Sequence, residues 1–112
     1  MNTTLHSLIP PDRAAKLEQN IHRVPDHCRQ GLLDYLRYGI PPGHFLQAVL
    51  SNDLREACAR ADETNQRALY DYVFVLYNYA PSDAWGSPER VTDWIKQGME
   101  RARQWHAEAV QE

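Results

Sequence analysis

The sequence predicts an all-α fold, a compact orthogonal bundle of about five helices around a central apolar helix. The main observation is the segment from Ala68 to Ala80, where only Asp71 and Asn78 interrupt an apolar and aromatic sequence. A helix places these two polar residues on one narrow stripe, so its other sides need neighbours around them. Amphipathic segments elsewhere supply those neighbours, and no segment alternates with period two over more than a few residues.

Length and composition indicate one globular domain. The chain has 112 residues, 43% of them hydrophobic, enough for a core without metal or disulfides. A formal net charge of −3 disfavours general nucleic-acid binding, which needs a concentrated basic face. The start of the chain lacks a signal-peptide pattern, and the longest apolar stretch is too short for a membrane span. We expect a cytoplasmic protein without membrane contact, in which Cys28 and Cys58 are free, mostly buried thiols.

The first half of the chain is expected to form helices separated by prolines. Residues 1–11 are interpreted as an irregular arm, and residues 12–112 as a single helical domain. Asp12 is expected to cap a helix that continues to about Val24. A second helix is expected from Asp26 to Tyr38, with Gly39 as its stop.

Turn and cap residues divide the middle of the chain. A third helix begins near His44 and stops at the polar residues 51–53, and a fourth runs over 54–61. Either Asn52 or Asp53 caps the fourth helix, and the central helix follows at about 66–80. The residues expected to serve as caps and turns here are Gly43, Asn52, Asp53, Asp62 and Asn65.

The last helix is expected over residues 88–110, extending beyond the core. Ser87 supplies its cap and Pro88 its first position, a combination typical of helix starts. Apolar residues follow at a spacing of three or four for about five turns. They are Val91, Ile95, Gly98, Ala102, Trp105 and Ala109.

The sequence assigns no catalytic, metal-binding or cofactor-binding residue. No histidine lies at zinc-ligand spacing from a cysteine or a second histidine, and the glycines do not form a phosphate-binding loop. A pair such as Cys58 with His44 would have to meet in space. We expect a buried thiol and a solvated imidazole instead.

Two alternative interpretations stay open. Residues 44–61 have the lengths of a helix-turn-helix, but Asp53 and Glu56 lie where its second helix would approach phosphate. The same two carboxylates share a helix face and could divide acid and base roles in a small enzyme. A cap at Asp53 and an ion pair from Glu56 to Arg60 explain them more simply.

The aromatic residues are the more informative pattern. Tyrosines of the central helix are expected to cover the edge of the core, with rings inward and hydroxyls outward. Trp85 either folds over the core or stands exposed as a binding anchor. The last helix continues its apolar stripe past the body, so that it needs a second copy or a different protein as partner. The predicted partner-binding residues are Trp85, Ala102, Trp105 and Ala109.

A wider pattern covers roughly residues 32–95. It consists of Gly39–Ala57, Arg60–Asp62, Asn65, Tyr77–Asn78, Trp85–Pro88 and Trp94. This combination resembles a family of small uncharacterised helical proteins encoded by phages and prophages of proteobacteria. The resemblance implies no activity and brings no catalytic residue. It implies an accessory protein made inside an infected or lysogenic bacterial cell, which acts by binding a host or viral macromolecule.

These observations together predict a non-enzymatic protein that binds another macromolecule, most simply a protein. A homodimer through the last helix is one form of that binding. A DNA-associated regulator with a helix-turn-helix-like segment is the first alternative, and a small enzyme that uses Asp53 and Glu56 is the second.

Overall fold

The computed structural model describes residues 7–111, with side chains described through Ala107. This part of the chain is all-α, with 78% of the protein helical and no strand in the described residues. The described residues also form two short 3₁₀ turns, at Ile21–Arg23 and Ser82–Ala84. The helices are α1 Pro11–Asn20, α2 Asp26–Tyr38, α3 His44–Leu50, α4 Leu54–Arg60, α5 Glu63–Arg67, α6 Leu69–Tyr79 and α7 Pro88–Gln111.

Residues 7–111 contain seven α-helices, whereas about five were predicted. The first helix begins at Pro11, and Asp12 lies inside its first turn without capping it. It ends at Asn20, and a 3₁₀ turn replaces the predicted last turn, because Pro25 forces the residue before it into an extended conformation. Of the predicted irregular arm, residues 1–6 lie outside the described part, whereas Ser7 and Ile9 are buried.

Helix α2 has the predicted bounds, and Gly39 ends it in the left-handed conformation with φ 69°. At this point α2 meets α7 at backbone contact distance. A Cβ added to Gly98 would lie 2.0 Å from the Tyr38 carbonyl oxygen and 2.7 Å from the Gly39 Cα. Glycine at position 98 therefore lets the two helices touch without a side chain between them.

The middle of the chain follows the predicted stop and restart. Asp53 caps α4, because its Oδ1 accepts a hydrogen bond from the Glu56 N–H at 3.2 Å. Asn52 has φ 62° and forms the turn before this cap. Gly43 is the N-cap residue of α3, in agreement with its place among the predicted cap and turn residues, but the position does not require glycine. Its φ of −66° suits any residue, and an added Cβ would meet nothing within 4 Å.

The predicted central helix differs most from the structure. A turn at Ala68 divides it into α5 and α6. Asp62 alone caps this region, accepting the Asn65 N–H at 2.7 Å, so Asn65 is a buried residue of α5 and not a cap. Helix α6 is buried along one side only, by Tyr72, Val75 and Leu76. Its neighbours include α1, the 3₁₀ turn after α1, and α5, and the Tyr72 ring contacts Phe45 of α3 at 5.3 Å. Its outward side is exposed at Tyr70, Val73 and Tyr77, so α6 is not surrounded on all sides as predicted.

Two buried aromatic residues hold α7 to the body. Trp94 donates from Nε1 to the Tyr35 carbonyl at 3.0 Å, and the Tyr35 hydroxyl donates to the Ala84 carbonyl at 2.6 Å. Ser87 caps α7 as predicted, accepting the Arg90 N–H at 3.2 Å, and Pro88 begins the helix. The largest fully buried side chains of the core are Tyr35, Tyr72, Leu17, Leu32, Leu36, Leu50, Leu76, Val24 and Val75.

Candidate functional site

The outward side of α6 carries large apolar side chains in contact with solvent. Tyr70 is 71% exposed, Val73 47% and Tyr77 79%. Their spacing of three and four residues places them on one side of the helix, and we name this set the tyrosine face. The expectation that the tyrosine rings point inward and their hydroxyls outward is wrong for Tyr70 and Tyr77, whose side chains are largely exposed. For Tyr72 the ring is buried as expected, but its hydroxyl is buried too and donates to Asn65.

Phe74 fixes one border of the tyrosine face. Its ring lies 6.2 Å from that of Tyr70, and the Arg23 guanidinium lies 3.8 Å from the Phe74 ring centroid. The same guanidinium forms an ion pair with Asp71 at 3.0 Å. Arg23 contacts both the Phe74 ring and the Asp71 carboxylate. These contacts restrain α6, the helix that carries the exposed tyrosines.

A small apolar cavity adjoins the other border and has a volume of about 70 Å³. Its polar lining residues are Asn52 and Asp53, and Leu54, at its mouth, is 71% exposed. Because Val73 belongs to the lining and to the tyrosine face, the two features form one surface. We name this cavity the Leu54 notch, and its apolar lining is Ala48, Val49, Leu54, Ala57, Leu69 and Val73.

Two arginines lie next to this surface. Arg55 follows Leu54, and Arg67 precedes Tyr70 by three residues; both are exposed. In the part of the chain that the structure describes, neither forms an ion pair. The notch carboxylate, Asp53, is already a hydrogen-bond acceptor for the α4 backbone. Because Asp53 is exposed and keeps its negative charge, the charges along these chain segments are of both signs.

A second apolar surface lies where α7 leaves the body. Ile40 is 50% exposed and Met99 62%, and they line a groove of about 230 Å³. We name it the α7 groove. It is lined by Tyr38, Gly39, Ile40, Pro41, Gly98, Met99 and Ala102.

The predicted partner-binding residues fall in different places. Trp85 is half-buried and packs against the core, so it is not an exposed anchor. Ala102 lines the α7 groove, and Trp105, half-buried on the same helix, has its ring 5.6 Å from that of His106. The side chain of Ala109 lies outside the described residues. The sequence did not single out Leu54 or Val73, whose exposure depends on which side of the bundle stays uncovered.

Asp53 and Glu56 lie on an open polar groove of about 280 Å³ between α3, α4 and the start of α7. Glu56 accepts a hydrogen bond from Arg60 at 2.8 Å, and Asp53 caps its own helix. His44 also lines this groove, whereas Cys58 is exposed on α4 and does not line it. Each carboxylate is thus engaged in a local contact, in agreement with the cap and ion-pair interpretation.

A polar cluster at the start of α2 was not anticipated. Asn65, 4% exposed, accepts the Tyr72 hydroxyl on Oδ1 at 2.6 Å and reaches the Cys28 sulfur with Nδ2 at 3.7 Å. Asp62 Oδ2 lies 3.0 Å from His27 Nε2. The cluster joins α2 to the start of α5, through residues at least 35 positions apart in the sequence. A contact between residues so far apart cannot be predicted from the spacing of neighbouring residues.

Burial raises the pKa of two tyrosines of the core, Tyr35 and Tyr72. Loss of hydration raises the pKa of Tyr35 well above its ordinary value. It raises the pKa of Tyr72 as well, and Cys28 and Asp62 beside that hydroxyl add to the effect. Both hydroxyls are therefore neutral hydrogen-bond donors over the physiological pH range.

Within the described residues, no three His, Cys, Asp or Glu side chains are grouped so that they could hold a metal ion. None of the described helices combines the length and apolar character needed to cross a bilayer. Among the described residues, the exposed large hydrophobic side chains all belong to the tyrosine face, the Leu54 notch or the α7 groove. Comparison with models of known families, with curated proteins and with solved structures finds no match to this chain.

Proposed function

We propose that this protein acts by binding another protein through the tyrosine face and the Leu54 notch, without catalysis. The observation that carries this proposal is the contiguous exposure of Tyr70, Val73, Tyr77 and Leu54. Single exposed apolar side chains are ordinary on protein surfaces, whereas a contiguous group beside a cavity is typical of a binding site.

The residue types support a protein partner. Tyrosine is enriched at the residues that dominate binding energy, because its rigid ring buries a large area while its hydroxyl keeps a polar contact. Phe74 and Arg23 hold the helix from one side, so little ordering is needed on association.

The proposed setting is the cytoplasm of a bacterial cell that carries a phage or prophage. It follows from the resemblance of roughly residues 32–95 to phage-encoded accessory proteins, and the partner is accordingly a host or viral protein. A chain of this size serves such a role by occupying a site on a larger protein. No catalytic residue is part of the proposal.

Affinity capture from infected or lysogenic cells tests the proposal. Tagged wild-type chain is compared with a Tyr70→Ser, Tyr77→Ser double variant, and a Met99→Ser variant is the matched control on the α7 groove. We expect one or more proteins to co-purify with the wild type and the control and to be lost from the double variant. Equal recovery with all three chains would contradict binding through the tyrosine face. Circular dichroism checks that each variant is folded.

A homodimer through α7 is a second form of association that we propose. It is favoured by the α7 groove, because exposed Met99 and Ile40 stand beside Ala102 on a helix that continues to Gln111. A second copy of α7 can cover this groove by pairing around a two-fold axis.

The alternatives have less support. A DNA-reading helix at α4 would present Asp53 and Glu56 toward phosphate, and α4 has only 7 residues. An enzyme based on these carboxylates would need them to converge on a substrate. Asp53 instead accepts a backbone hydrogen bond and Glu56 pairs with Arg60.

A further inference from the structure

The Leu54 notch combines an aliphatic lining with a single charged group. Of the residues that line it, only Asp53 carries a charge, and Asn52 is the only other polar one. Arg55 and Arg67 are close in the sequence but do not belong to the lining. A cavity of this composition suits a ligand group that is aliphatic along most of its length and positively charged at one end.

The Asp53 carboxylate is able to accept a cation. It is exposed, and it forms no ion pair with any residue that the structure describes. Its bond to the Glu56 N–H at 3.2 Å uses only one of the acceptor positions of a carboxylate. The C-terminal end of α3 and the N-terminal end of α4 meet at this turn, and their opposite partial charges offset each other. The charge of Asp53 is therefore available to a cation on a partner.

The size of the notch limits the aliphatic part of that group. The notch measures about 70 Å³, whereas an apolar cavity that holds a benzene ring measures about 150 Å³. The notch therefore has room for a few methylene groups and not for an aromatic ring. Among cationic side chains, lysine has an unbranched methylene stem and a compact ammonium group, whereas arginine ends in a wide planar guanidinium.

We infer that the partner of the tyrosine face places one lysine side chain in the Leu54 notch, with its ammonium group on Asp53. This inference rests on the protein-binding function proposed above. The lysine stem contacts Leu54, Leu69 and Val73, and the ammonium group stays at the exposed rim, where it loses little hydration. Because Val73 belongs to both features, the same segment of the partner reaches the tyrosine face.

A displayed library of peptides, randomised in sequence, tests the inference. Peptides are selected on the full-length protein, and their affinities are measured by fluorescence anisotropy. Selected peptides should carry lysine at one fixed position, more often than arginine, leucine or methionine. Replacing that lysine by norleucine, which keeps an aliphatic stem and lacks the ammonium group, should weaken binding about two- to fivefold, the effect of one exposed ion pair.

Asp53→Asn is the decisive variant, because asparagine caps helices as well as aspartate does and leaves α4 intact. It should bind the lysine peptides about two- to fivefold more weakly and the norleucine peptides as well as the wild type does. Asp62→Asn is the matched control, because it makes the same change at the cap of α5, outside the notch lining. Leu54→Ser, at a position 71% exposed, removes part of the aliphatic wall and should weaken both kinds of peptide. Circular dichroism checks that each variant is folded.

The other outcomes separate this inference from the proposed function. Equal binding of lysine and norleucine peptides, or equal affinity of wild type and Asp53→Asn for the lysine peptides, would overturn the lysine anchor. Peptides that need Tyr70 and Tyr77 but carry no fixed lysine would also overturn it and leave the proposed function standing. Self-association abolished by Leu54→Ser would make the occupant a second copy and overturn it as well. Selected peptides whose affinity is unchanged by Tyr70→Ser with Tyr77→Ser would overturn both proposals. A library that yields no binder would overturn the lysine anchor, and capture from cells would then test the proposed function separately.

Discussion

At the scale of single residues, the two buried tyrosine hydroxyls connect folding to pH. Tyr35 and Tyr72 are each 0% exposed, and burial raises the pKa of both. Below about pH 10 these phenols are neutral in folded and unfolded chains alike, so their contribution to stability is complete. Above that pH the unfolded chain releases protons that the folded chain retains. Stability should therefore fall by about 1.4 kcal/mol per tyrosine at one pH unit above 10.

Urea unfolding at pH 9 and pH 11 measures this loss. Tyr35→Phe and Tyr72→Phe should each remove part of the difference in unfolding free energy between the two pH values. Tyr77→Phe is the matched control, because Tyr77 is 79% exposed and folding does not bury its hydroxyl. If all three variants lost as much unfolding free energy between pH 9 and pH 11 as the wild type does, the assignment to the buried hydroxyls would be contradicted.

Asn65 should contribute more to the free energy of unfolding than the size of its side chain suggests. It satisfies the buried Tyr72 hydroxyl at 2.6 Å and contacts Cys28 at 3.7 Å. Asn65→Ala leaves that hydroxyl without its acceptor, which should lower the unfolding free energy by about 1–3 kcal/mol. In the Tyr72→Phe background the same substitution should be less harmful, because no buried donor is left unpaired. A double-mutant cycle by urea denaturation measures this coupling, and purely additive effects would contradict it.

At the scale of the elements, the contact between α2 and α7 depends on one glycine. An added Cβ at Gly98 would lie 2.0 Å from the Tyr38 carbonyl oxygen, and backbone cannot move aside as a flexible side chain can. Alanine otherwise favours a helix interior by about 1 kcal/mol over glycine. Gly98→Ala should nevertheless destabilise the protein, by about 1–3 kcal/mol or more.

Gly31 supplies the matched control within α2. A Cβ there would meet the nearest side chain, Leu46, at 3.5 Å, an ordinary contact. Gly31→Ala should therefore stabilise the protein slightly, by up to about 1 kcal/mol. Thermal unfolding of both variants compares the two effects, and a stabilising Gly98→Ala would contradict close packing of α7 on α2.

The sequence predicts where the helices begin and end better than it predicts which of their sides are exposed. Capping chemistry is local, so Asp53, Asp62 and Ser87 are identified as caps from a few neighbouring residues. The bounds of α2 follow from Pro25 and Gly39 in the same way. The exposure of Tyr70 and Tyr77 depends on which helices pack beside α6, a long-range outcome. An almost uniformly apolar segment contains no periodicity that says which of its sides remains uncovered.

At the scale of the whole molecule, the two exposed apolar surfaces are separate features and allow separate tests. The tyrosine face belongs to α6, and the α7 groove belongs to the junction of α2 and α7. If α7 forms a homodimer, the groove is covered without any change at the tyrosine face. A dimer would then present two tyrosine faces, and two linked sites bind a partner with paired targets more tightly than either alone.

The homodimer makes a direct prediction about molecular mass. Size-exclusion chromatography with light scattering should give a dimer at high protein concentration. Met99→Glu should shift it toward a monomer, because Met99 is 62% exposed in the single chain and would be covered in the pair. Burying an unpaired carboxylate there opposes association strongly. Gln97→Glu makes the same change in charge at an exposed position of the same helix and should leave the dimer unchanged. A wild-type chain that stays monomeric at every concentration would eliminate this mode of association and leave the tyrosine face as the remaining proposed site.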